Sequence, residues 1–103
     1  MKQKTEQGVV QEKLVLQLYV SGMSQKSMEA IKNIKQLCSE HLKDDAYDLS
    51  IIDIYKHPEM AHEQQIVFSP SLIKKLPEPK KILIGNLSNA EKVIKALGIT
   101  FKE

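Results

Sequence analysis

Arginine is missing from this 103-residue chain, and cysteine occurs once. Without arginine there is no planar fork to clamp phosphates or read guanine edges in pairs. The three tyrosines and two phenylalanines are scattered rather than interleaved with lysines, so they build no base-stacking surface. No nucleic acid is therefore expected as a partner. The lone Cys38 forms neither an internal disulfide nor a CxxC pair, a usage that fits a reducing, cytoplasmic setting. Four glycines, Gly8, Gly22, Gly85 and Gly98, lie too far apart to cradle a phosphate, and neither GxGxxG nor GxxxxGK[ST] occurs. Apolar runs stay far short of the roughly 18 residues that span a bilayer, and the polar start lacks a signal-peptide segment. Neither a membrane nor export is expected.

What is present is ordinary globular material, with 42% apolar and 27% charged residues at a length suited to one compact domain. Residues 1–13 read as a loose leader rich in Lys, Gln and Glu, and 14–103 as a single domain. The formal charge of +2 hides an uneven distribution. Residues 1–70 carry eight Lys against ten Asp or Glu, whereas 71–103 carry seven Lys against three Glu.

Leu14 to Val20 is short and almost continuously apolar, the pattern of a central strand covered on both faces. Ser21-Gly22 ends it, and Ser24 is placed to cap a helix whose stripe is Met28, Ile31, Ile34, Leu37, Cys38 and Leu42. Leu49 to Tyr55, with Ile51, Ile52 and Ile54, predicts a second strand parallel to the first. Pro58 suits the first turn of a short polar helix over 59–65. Ser69-Pro70, a candidate cis bond, leads into an extended Ser71-Leu72-Ile73. Leu76-Pro77-Glu78-Pro79 turns the chain into a strand over Lys80 to Ile84, giving an antiparallel hairpin closed by Gly85-Asn86. Ser88-Asn89-Ala90-Glu91 fits a capping box opening a helix with Ala90, Val93, Ile94 and Leu97 on its stripe and Gly98 at its end. The order βαβαββα is the thioredoxin-like α/β arrangement. Val93 to Phe101 also holds strand-favouring residues, so local preference there is divided between two packings.

Chemistry is sparse. A thioredoxin-like redox pair would sit between the first strand and first helix, where this chain has Ser21-Gly22-Met23-Ser24. Cys38 falls on the apolar stripe and reads as a small buried hydrophobe. Cys38 and His41 share a helix face, but no second pair completes a four-ligand metal site. His57 and His62 read as solvated polar residues, since no nucleophile sits in a recognisable turn beside them. No catalytic residue, metal or cofactor is expected.

Four ordered blocks carry a resemblance: Leu18-Tyr19-Val20-Ser21-Gly22; Ile52-Asp53-Ile54 followed by His57-Pro58-Glu59-Met60-Ala61; Ser69-Pro70-Ser71-Leu72-Ile73-Lys74-Lys75-Leu76-Pro77; and Ile84-Gly85-Asn86-Leu87-Ser88-Asn89. Over about Leu14 to Leu97 the chain resembles the KaiB family of bacterial clock proteins. The resemblance implies a non-enzymatic regulator that binds the N-terminal ATPase ring of the hexameric ATPase KaiC and, through it, affects KaiA and output histidine kinases. It also implies two folds of one sequence, a βαββααβ form in a resting homotetramer and a thioredoxin-like partner-binding monomer. A homo-oligomer, dimer or tetramer, is accordingly expected.

Several positions depart from the family pattern. Glu29 stands where an Arg is common and Gln65 where a Lys is. Pro77-Glu78-Pro79 replaces three consecutive prolines, and Ala96 replaces a Gly. Alanine favours a helix over glycine by about 1 kcal/mol, which tilts the last segment towards the thioredoxin-like form. Lys74, Lys75, Lys80 and Lys81 are the expected docking residues. Pro70, Pro77, Pro79, Gly85, Ser88, Ala96 and Gly98 are the expected determinants of fold choice. The contrasting reading is a thioredoxin-like redox or glutathione-dependent enzyme, which the missing active-site cysteine opposes; a third is the KaiB-like sensor domain of a clock histidine kinase.

Overall fold

A computed structural model describes residues 13–99; all but the last residue of the expected leader over 1–13, and the end of the divided segment, Thr100 and Phe101, lie outside the described residues. Strand β1 (Leu14–Val20) is followed by helix α1 (Gln25–His41), a 3-10 turn at Asp44–Ala46 and strand β2 (Tyr47–Asp53). Helix α2 (Pro58–Glu63), the hairpin β3 (Ser71–Leu76) and β4 (Lys81–Ile84), and helix α3 (Ala90–Leu97) complete the expected βαβαββα order. The sheet runs β2-β1-β3-β4, with β1 parallel to β2 and antiparallel to β3, and β3 antiparallel to β4. The peptide bonds before Pro70, Pro77 and Pro79 are cis.

β1 is central because both of its faces are apolar. Leu14, Leu16, Leu18 and Val20 point to one side, where they join Leu72 of β3, the inner face of α1 and Val93, Ile94 and Leu97 of α3. Tyr19 points to the other side, with Ile52 of β2 and Ile73 of β3, under the short α2. Period-two alternation along the strands thus divides the core into a large α1/α3 layer and a smaller α2 layer.

The inner face of α1 differs from the expected stripe. Ser27, Ala30, Ile34, Leu37 and Cys38 are buried, with Ile31 and Leu42 packed at the margin, while Met28 is 50% exposed. At about 100° per residue Met28 lies about 120° round the helix from Ile34, off the face that meets the sheet. The polar Ser27 takes the inner place because its hydroxyl is satisfied there by Ser21 N–H and Ser24. Ser24 caps the helix as expected, accepting from Ser27 N–H.

β2 begins at Tyr47 rather than Leu49, pairing with β1 in register from Leu14↔Tyr47 to Val20↔Asp53. It stops at Asp53 because that carboxylate accepts from Gly22 N–H and Tyr55 N–H, turning the chain. As an edge strand it buries Ile52 and leaves Ile51 exposed. α3 is capped by Asn89, whose side chain accepts from Lys92 N–H at 3.1 Å, and not by Ser88. Ser88 N–H is instead bonded to Asn86 Oδ1 and Leu87 sits at φ 62°; the helix starts one residue later than the capping box implied, with Ala90 exposed. Gly98 ends it at φ 72°, as expected, with its N–H returned to Lys95 O.

Candidate functional site

Three loops converge beyond the end of β1. Ser21 Oγ donates to Ser69 Oγ at 2.5 Å, joining the β1–α1 turn to the segment before β3. Gly22 N–H donates to Asp53 Oδ1 at 3.2 Å, joining the same turn to the end of β2. Gly22 adopts φ 56°, a left-handed conformation that favours glycine, and the Tyr55 ring packs beside it at ordinary contact distance. Ser27 Oγ accepts from Ser21 N–H at 3.0 Å and from Ser24 Oγ at 2.8 Å. Where a thioredoxin-like enzyme would hold a thiol pair, this chain holds serines bonded to one another. The Ser21 and Ser24 hydroxyls donate to serine oxygens, and the nearby Asp53 carboxylate is turned to the Gly22 and Tyr55 N–H groups.

Cys38 lies well away along α1, fully buried, and burial pushes its thiol up to about 11. It is a core residue, as its place on the stripe implied. Among the described residues no three His, Cys, Asp or Glu side chains gather as a metal site would require. His57 precedes α2 without a side-chain capping bond, its Nδ1 3.9 Å from Glu59 Oε2.

The four lysines expected to dock a partner separate. Lys74 is only 5% exposed, inside the sheet opposite Leu16 and Lys81, so it is not the solvated head expected of it. Its parity with Leu72 turns it to the α1/α3 side. Lys75 is half-buried, Lys80 is exposed and donates to Gln64 Oε1 at 3.2 Å, and Lys81 is exposed on the edge strand. Gly85 N–H donates to Pro70 O at 2.9 Å, so Pro70 and Gly85 meet across the hairpin. Pro77 and Pro79 form its turn, and Ser88, Ala96 and Gly98 belong to α3 and its approaches.

A polar clasp was missed. Asn86 Nδ2 donates to Glu29 Oε1 at 2.9 Å, and Asn33 Nδ2 donates to Asn86 O at 2.8 Å, tying α1 to the β4–α3 connection. Glu29 and Asn33 are four apart, one helical turn, which is the only local signal of this pairing.

A family profile described as the KaiB domain matches residues 17–99. The chain belongs to the KaiB family. The circadian clock protein KaiB3 of Synechocystis is 45% identical over 87 residues, covering 84% of each chain. The circadian clock oscillator protein KaiB of Microcystis aeruginosa is 39% identical over 89 residues, covering 86% of this KaiB-family chain and 85% of its own. Among solved structures, the N-terminal domain of Synechococcus elongatus SasA superposes with a TM-score of 0.72 at 21% identity, covering 90% of each chain. Chloroplastic thioredoxin z gives a TM-score of 0.68 at 16% identity, covering 84% of this chain and 76% of its own. These two likenesses establish the thioredoxin-like fold. Among the described residues no helix is long and apolar enough to cross a membrane.

Proposed function

We propose that this KaiB-family chain works by binding, without turnover, to a KaiC-type hexameric ATPase and so modulates clock or stress-adaptation signalling, reaching KaiA or a histidine kinase through that complex. The observation that carries the reading is the KaiB match over 17–99 on a thioredoxin-like fold whose redox position is filled by mutually bonded serines. The form described is the one in which partner binding is expected. Ala96 inside α3 and left-handed Gly98 at its end both favour it, alanine through helix propensity and glycine through its tolerance of positive φ. A resting oligomer of βαββααβ order is the alternative state from which binding would draw this one.

Lys75, Lys80 and Lys81 are the docking residues in this proposal. Lys74 is left to the fold, because reversing its charge at a buried position would disturb packing first. The test is co-purification with a KaiC-type hexamer in ATP. The parent chain should be retained, and the Lys75→Glu, Lys80→Glu, Lys81→Glu variant should be lost while keeping its circular dichroism. Equal retention of the variant would remove the docking assignment, and turnover in a disulfide-reduction assay would restore the enzyme reading.

A further inference from the structure

The α2 layer covers only part of its side of the sheet. Six residues long, α2 sits over Tyr19, Ile52 and Ile73, and β4 projects beyond it. Ile82 pairs with Ile73 and Ile84 with Ser71, so both isoleucines share that side. They are 49% and 63% exposed, and beside them Val67 and Phe68 are 81% and 60% exposed. Together with Gln65, Ile66 and Ser71 these residues line a shallow groove of about 210 Å³. β4 is also the last strand of the sheet. Gly85 N–H points back to Pro70 O, and an antiparallel ladder alternates, so Leu83 and Lys81 face β3 while Ile82 and Ile84 turn their N–H and C=O outward. An open edge and an apolar groove thus run side by side.

Charge decides what fits there. Lys80 is held beside the groove by its bond to Gln64, and Lys75 and Lys81 lie at the same end of the hairpin. Residues 80–88 contain two lysines and no acid, so a second copy pairing along β4 would bring no counter-charge. At the opposite edge Asp44, Asp45 and Asp48 outnumber Lys43 and the Lys13 paired with Asp48, so that edge offers an acidic segment no net positive charge.

We infer that β4 and its groove receive an extended segment of a partner protein in which apolar residues alternate with acidic ones. The segment adds a strand to the sheet through Ile82 and Ile84, seats its apolar side chains over Val67, Phe68, Ile82 and Ile84, and sets a carboxylate against Lys80 and Lys75. This rests on the chain being a binding protein, but not on the identity of its partner.

A blocked eight-residue peptide alternating valine with glutamate, titrated into the full chain to about millimolar concentration, is the probe. Expected are amide shifts and slowed hydrogen exchange at Ile82 and Ile84, at least about tenfold weaker binding after Lys75→Glu with Lys80→Glu, and no effect from the same peptide N-methylated at alternate residues. Ile84→Ser, at an exposed site, keeps the fold and should also weaken binding. The inference is overturned by no response, by an equal response to a lysine-for-glutamate peptide, by shifts centred on β2, or by protection at Ile82 that grows with protein concentration alone. Any of these with KaiC capture intact removes the strand-addition mode and leaves the proposed function standing.

Discussion

Truncating Ile34 to alanine, beside the same truncation of Met28, tests how α1 is turned against the sheet. Ile34 is fully buried in the α1/α3 layer, whereas Met28 is half exposed. Ile34→Ala removes three carbon groups, about 2.4 kcal/mol of transfer free energy at about 0.8 kcal/mol each. A residual cavity adds about 24 cal/mol per Å³, for a total of about 3 kcal/mol. Met28→Ala at a solvated position should stay within about 0.5 kcal/mol. Urea unfolding at several protein concentrations reads both, and with a slope of about 1.5 kcal/mol per molar the Ile34 midpoint falls by about 2 M. Equal losses at the two positions would mean that the helix meets the sheet through a different face, and would refute the assignment of Ser27, Ala30, Ile34 and Cys38 to the interior.

Cys38 titrates near 11 when folded against about 9 when exposed, so the unfolded chain loses its proton first. Stability should be unaffected by this group below pH 9 and fall by up to about 2 kcal/mol towards pH 11, and the pH profile of Cys38→Ala measured beside the parent should lack that component. Alkylation of Cys38 at neutral pH should be slow in the folded chain and fast in denaturant, as read by mass spectrometry. Breaking the clasp by Glu29→Ala or Asn33→Ala should cost about 1 kcal/mol each, and a double-mutant cycle of Glu29→Ala with Asn86→Ala, which share a side-chain bond, should be non-additive in urea unfolding. Gly98→Ala places a side chain at φ 72° and should destabilise the chain by about 1 kcal/mol in the same assay.

Much of the fold was legible because the signals were local. β1 is an almost continuously apolar strand, Pro58 starts α2, Gly98 stops α3, and the proline turn between Leu76 and Lys80 makes a hairpin. Errors arose where a tertiary partner decided. Ser27 takes the inner place expected of Met28, where its hydroxyl accepts from Ser21 N–H, six residues back. Ser88 and Asn89 are both good caps, and the helix uses Asn89, one residue after the left-handed Leu87 and the Asn86-bonded Ser88. Lys74 belongs to a lysine-rich tract that looks solvated, yet strand parity puts it on the face of Leu72. The Glu29–Asn86 bond spans 57 positions and has no periodic signature. The serines at the β1–α1 turn were visible as a missing thiol pair, but their bonding to Ser69 was not.

The two edges of the sheet differ in sign at the same end of the molecule. The β1 register places Asp48 opposite Val15 and Leu76 opposite the same residue, so the aspartates before and within β2 and the lysines around the hairpin turn stand level. Three strand spacings, about 14 Å, separate them. Such a pair of poles feels a torque in the field of a charged body before any contact forms. The molecule would therefore arrive at an acidic surface already rotated, hairpin foremost, and added electrolyte would slow its capture more than its release.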